Sequence, residues 1–179
     1  MRPDLNLLLA GFGGQGLLFG GKVVAYSGLI EGREISWLPS YGPEMRGGTA
    51  NCSVCISDEP IGSPLVLTPN ALIVMNLPSL DKFIDTVVPG GIVIIDSTMI
   101  SKKVNRSDVS VFYVPATKLC EDNDLKGLAN IVLIGKLFKS LAHCSEEALD
   151  KAIIKSVPAS KKDLIDLNRR ALKLGIDFE

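Results

Sequence analysis

Leu5–Gly21 reads LNLLLAGFGGQGLLFGG, an apolar run that breaks into clustered glycine and resumes with a helical pattern. Leu5 to Leu9 lead through Ala10 into Gly11-Phe12-Gly13-Gly14-Gln15-Gly16, and Leu17, Leu18, Val23 and Val24 follow at helical spacing. This order predicts a buried strand, a tight loop and a helix. The loop faces the amino end of that helix, where unpaired N–H groups and the macrodipole favour an anion. Gly11, Gly13 and Gly16 satisfy the G-x-G-x-x-G pattern of dinucleotide sites. Two uses stay open. Gly13, Gly14 and Gln15 form an amide cradle for an anion, with Gln15 pointing out of the loop, or the glycines only allow tight strand–helix packing.

Outward from this unit, strands and helices alternate. The first helix is expected from Gly16 to about Glu31, with a second strand at Ile35–Leu38. A dinucleotide site wants an acid at the far end of that strand for the ribose hydroxyls. This strand runs instead into Leu38-Pro39-Ser40, and Glu31 and Glu34 precede it. The segment Ser40-Tyr-Gly-Pro-Glu-Met-Arg-Gly-Gly48 sets a phenol, a carboxylate and a guanidinium among glycines and a proline. That is loop chemistry, and Tyr41, Glu44 and Arg46 are its candidate interface or ligand residues, expected beside the glycine turn. Thr49–Ser57 reads as a strand that runs antiparallel. Ala71–Asn76, Ile92–Ile95 and Val111–Val114 are further strands. Ser79, Ser145 and Ser160 are placed as helix caps, and Ala129–Ala142 is strongly helical. The fold expected is α/β: a mostly parallel, Rossmann-like sheet flanked by helices, with a helical carboxyl-terminal third, in one domain spanning 1–179.

Composition narrows the function. With 19 Lys and Arg against 20 Asp and Glu, nothing directs the chain to nucleic acid or an anionic membrane. No apolar run reaches the roughly 18 residues of a membrane span, and a strand close to the start argues against a signal peptide, so a cytoplasmic location is expected. Cys52 and Cys55 form C-x-x-C, but on a strand residues three apart face opposite ways and cannot share a metal. No metal site is expected. His143, the single histidine, is assigned a capping or surface role. No nucleophile–base pair is visible, so no catalytic residue is assigned to this chain.

G-F-G-G-Q-G after the first strand, S-Y-G-P-E-M-R-G-G after the second, the later S-D-E-P-I-G-S-P and A-N-I-V-L-I-G together resemble the gamma subunit of 2-oxoacid:ferredoxin oxidoreductases. The resemblance runs in order along almost the whole chain. It implies an enzyme that oxidatively decarboxylates a 2-oxoacid to its acyl-coenzyme A and reduces ferredoxin. It also implies a complex using thiamine diphosphate, Mg, iron–sulfur clusters and coenzyme A, held mainly by alpha and beta subunits, with a delta subunit in some forms. This chain would be a non-catalytic subunit that binds none of these tightly and self-associates when isolated. The competing reading is a stand-alone dinucleotide- or anionic-metabolite-binding protein.

Overall fold

The computed structural model describes residues 3–40 and 49–179. Strand β1 (Leu5–Phe12) is followed by helix α1 (Leu17–Ile30), strand β2 (Glu34–Ser40) and strand β3 (Thr49–Ser57). Then come β4 (Ala71–Val74), α2 (Leu77–Phe83), β5 (Ile92–Asp96), β6 (Ser110–Val114) and α3 (Ala116–Asp122). Helices α4 (Ala129–Leu141), α5 (Glu146–Ser156) and α6 (Asp163–Asp177) form the carboxyl-terminal third.

The six strands make one sheet in the order β2-β3-β1-β4-β5-β6. β1, β4, β5 and β6 pair in parallel, while β3 runs antiparallel to both β1 and β2. The sheet is therefore parallel apart from β3, as expected. The position of β3 was not: it separates β1 from β2, with Phe12 opposite Thr49 and Ser40 opposite Asn51. The glycine turn after β1 and the 41–48 segment after β2 thus follow strands that are not neighbours, which corrects the ground for expecting the two side by side. The loop itself lies outside the described residues.

Alternation along the strands divides the core. Leu5, Leu7 and Leu9 of β1 join Cys52, Val54 and Ile56 of β3 beneath α1 and α4, in the larger core. Leu8 and Ala10 face the other way and meet Leu80 of α2 with Leu72, Val74, Val93 and Ile95. Cys52 and Cys55 thus lie on opposite faces, and the Cys55 thiol faces the Ser63 carbonyl at 3.9 Å. The helices α4 and α6 cross nearly backbone to backbone. A Cβ on Gly175 would stand 1.8 Å from the Val132 carbonyl oxygen, and one on Gly135 would stand 2.2 Å from that of Leu172.

Three local expectations are corrected. Helix α2 is capped by Asn76, whose Oδ1 accepts from Ser79 N at 2.8 Å; Pro78 needs no N–H partner and so belongs in the first turn, which starts the helix ahead of Ser79. Ser160 lies in a short 3-10 turn (Ala159–Lys161), and α6 begins only at Asp163, without a side-chain cap. His143 is fully buried at the corner between α4 and α5, with its ring edge-on to Phe138 at 6.4 Å. Its carbonyl oxygen accepts from Arg33, which also bonds Asp4, Asp58 and the Pro3 carbonyl, tying that corner to the start of β1 and the end of β3 at one edge of the sheet. Ser145 caps α5 as expected, accepting from Ala148 N.

Candidate functional site at the carboxyl edge of the sheet

The chain leaves β1 through α1 toward the β2 edge and leaves β4 through α2 toward β5, on opposite faces of the sheet. The crevice between the carboxyl ends of β1 and β4 is therefore the topological switch point, where open α/β sheets take their ligands. The glycine turn Gly13–Gly16 closes one side of it and Met75 the other.

Gln15 does not point out of the loop. Its side chain folds back across the crevice, where Oε1 accepts from Phe12 N at 2.6 Å and Nε2 donates to the Met75 carbonyl at 3.1 Å. The carboxamide joins the ends of β1 and β4 where a dinucleotide pyrophosphate would approach the turn. A ribose-binding acid would also have to come from β2, two strands away at roughly 10 Å. Both features count against a dinucleotide bound in the usual way.

Beside Gln15 lies a cavity of about 210 Å³, whose lining includes Gly14, Gln15, Met75, Thr117, Glu121 and Lys126. Two helices present amino ends to this region without a side-chain cap and without an acid in the first turn. They are α1, entered through Gly16 at φ 74°, and α4, whose Ala129 borders the cavity. Asn130 Nδ2 donates to the Gly16 carbonyl at 2.8 Å and holds the two ends together. Uncapped N–H groups and the Lys126 ammonium favour an anion at this edge, while the Glu121 carboxylate on the same cavity opposes it, so the helix ends carry the preference.

Sequence reading did not single out Asp96, which closes β5 and is fully buried. It accepts from Thr98 N at 3.1 Å, Thr117 N at 3.3 Å and Thr117 Oγ1 at 2.6 Å. It thereby fixes the start of α3 against the end of β5 and sets the wall of the cavity. A carboxylate ending an all-apolar strand, with a threonine after the next strand, was the available signal. Burial pushes the Cys120 thiol up to about 11, so at neutral pH it is a packed thiol and not a nucleophile. Burial likewise pushes Cys52 up to about 11, partly offset by its hydrogen bond with Trp37. Among the described residues no three His, Cys, Asp or Glu side chains converge as metal ligands. No described helix is long and apolar enough to cross a membrane.

Of the expected site residues, the structure brings Gly13, Gly14 and Gln15 to the switch point; Tyr41, Glu44 and Arg46 lie outside the described residues. What fold and site define together is a doubly wound α/β domain with two uncapped helix ends at its carboxyl edge and a crevice bridged by its own glutamine. The chain belongs to the pyruvate ferredoxin/flavodoxin oxidoreductase family, which matches residues 6–178. It is 42% identical over 177 residues to the ketoisovalerate oxidoreductase subunit VorA of Methanothermobacter thermautotrophicus, covering 98% of this chain but 36% of that one. The chain thus spans about a third of the length of that relative. With the 2-oxoglutarate synthase subunit KorC of Methanocaldococcus jannaschii it shares 36% identity over 166 residues, 91% of this chain and 88% of the other.

Among solved structures, the gamma subunit of a keto/oxoacid ferredoxin oxidoreductase from Geobacter sulfurreducens superposes with a TM-score of 0.81 at 28% identity, covering 97% of this chain and 96% of that one. The fold recurs in 2-oxoglutarate:ferredoxin oxidoreductase from Magnetococcus marinus, solved with 2-oxoglutarate, coenzyme A and succinyl-CoA bound. There the TM-score is 0.85 at 19% identity, over 100% of this chain and 32% of the other.

Proposed function

We propose that this chain is the gamma subunit, or the gamma part, of a cytoplasmic 2-oxoacid:ferredoxin oxidoreductase. The complex oxidatively decarboxylates a 2-oxoacid to its acyl-coenzyme A and passes the electrons to ferredoxin. The observation that carries this reading is the nearly end-to-end match, in both directions, with the subunit KorC. In this reading thiamine diphosphate, Mg and the iron–sulfur clusters belong to alpha and beta subunits, with or without a delta subunit. This chain supplies no catalytic residue.

Its contribution is a preformed edge. The uncapped ends of α1 and α4, with Lys126, face the place where an anionic group such as a coenzyme A phosphate or a partner carboxylate would arrive. Gly13, Gly14 and Gln15 shape that edge. Tyr41, Glu44 and Arg46 follow β2 in the sequence, and Arg46 is proposed to contact either a partner carboxylate or coenzyme A through its planar fork. Exposed Leu38, Leu65 and Leu67 leave an apolar surface through which the isolated chain would self-associate.

Co-expression with alpha and beta subunits of this enzyme class, followed by co-purification, tests the assignment. The chain should elute with them in fixed stoichiometry, and failure to do so refutes the reading. Arg46→Ala should cost about 2–5 kcal/mol of association if it is an interface contact, or raise the KM for coenzyme A if it is a ligand contact. Normal assembly and turnover would leave the loop without either role.

A further inference from the structure

Helix α1, LLFGGKVVAYSGLI, carries one charge in 14 residues and is apolar around its whole circumference. A helix of that kind is normally enclosed on every side. Here Leu17, Val23 and Val24 meet the core, and α5 packs along one flank. One stripe is left uncovered. Leu18, Lys22 and Tyr26 are half-buried along it, and Leu29 and Ile30 at its end are 46% and 36% exposed.

Its charges are also incomplete. The Tyr26 ring has two ammonium groups over it, Lys22 Nζ at 5.4 Å and Lys155 Nζ at 5.3 Å from its centroid. Among the described residues neither lysine has a carboxylate within ion-pair distance. Of the three acids of α5, Glu147 pairs with Lys151 and Asp150 with Arg169, while Glu146 sits in the first turn, more than two turns from Lys155. Two cations over one aromatic ring, set in an apolar stripe, are completed by a carboxylate arriving from outside.

We propose that this stripe docks the catalytic partner of the complex, which presents an apolar ridge carrying an Asp or Glu between Lys22 and Lys155. The inference rests on the subunit reading above. A second copy of this chain is a poor occupant, because a two-fold contact through the stripe would bring the same two lysines against each other. A separate polypeptide region is the better fit, since the VorA relative holds this domain in a chain of which it covers only 36%.

The test uses the chain co-expressed with the catalytic subunits and compares wild type with the double variant Lys22→Glu/Lys155→Glu and with Leu29→Glu. Leu29 is 46% exposed at the end of the stripe, so its variant keeps the fold if the double variant does not, and circular dichroism checks both. Association should weaken about a hundredfold in the double variant, and wild-type association should fall as salt rises. Lys102→Glu, on a distant ion pair with Asp81, should assemble as wild type does. Wild-type affinity in both stripe variants overturns the proposal. So does a result in which they abolish only self-association and leave partner binding intact. If wild type itself fails to bind, the subunit reading has failed, and this inference falls with it.

Discussion

Replacing Gln15 with Ala removes the bridge across the switch-point crevice and nothing else of size. Two hydrogen bonds go: the Phe12 amide loses an acceptor at 2.6 Å, and the Met75 carbonyl loses a donor at 3.1 Å. Water reaches the Phe12 amide, so that loss is about 0.5–1 kcal/mol. Met75 is buried, and its carbonyl left without a donor costs about 1–2 kcal/mol, reduced if water enters through the adjoining cavity. The sum is about 2 kcal/mol, which in a chain of 179 residues lowers Tm by about 4–8 °C. Calorimetry and urea unfolding of the purified chain measure it directly. A loss under about 0.5 kcal/mol would mean the carboxamide is an idle surface group and not a bridge. Gln15→Glu sharpens the comparison: it keeps an acceptor for Phe12 but turns a second oxygen toward the Met75 carbonyl, so at neutral pH it should be less stable than Gln15→Ala.

Gly175→Ala should cost about 2–4 kcal/mol or displace α6, because the new Cβ meets the Val132 carbonyl and backbone cannot yield cheaply; thermal unfolding reads this, and an unchanged Tm refutes the close crossing. Cys52 and Cys120, both pushed up to about 11 by burial, should resist a disulfide reagent at pH 8 in the native chain and react once urea unfolds it. Rapid native modification of either contradicts their placement. Asp150 is held below the usual carboxylate range by hydrogen bonds from Arg169. The pair therefore stabilises the chain above about pH 4 and stops doing so as pH falls through the depressed value. The stability gap between wild type and Arg169→Met should be full near neutrality and vanish toward pH 2; a gap that widens on acidification refutes the assignment.

Local chemistry made much of the fold legible. The strand–glycine–helix unit, the bounds Thr49–Ser57 of β3 and its direction, and the Ser145 cap are all set by short-range pattern, turn chemistry and capping. The opposite faces of Cys52 and Cys55 follow from the two-residue strand period alone. Where β3 sits, between β1 and β2, depends on pairing between distant residues, and no local pattern encodes it. His143 was misplaced because its burial is created by the α4–α5 corner and by Arg33, which lies 110 residues away. Gln15 reads as a polar loop residue bound for solvent; only the position of Met75, 60 residues on, gives its carboxamide a reason to turn inward. Asp96 escaped notice for the same reason, since two of its donors come from Thr117 across the sheet edge.

The most direct measurement is reconstitution of 2-oxoacid-dependent viologen reduction, with coenzyme A, from the separately purified catalytic subunits with and without this chain. The chain alone should reduce no dye, and adding it in stoichiometric amount should restore turnover to the remaining subunits. Reduction by the chain alone, or full activity of the other subunits in its absence, would contradict the account.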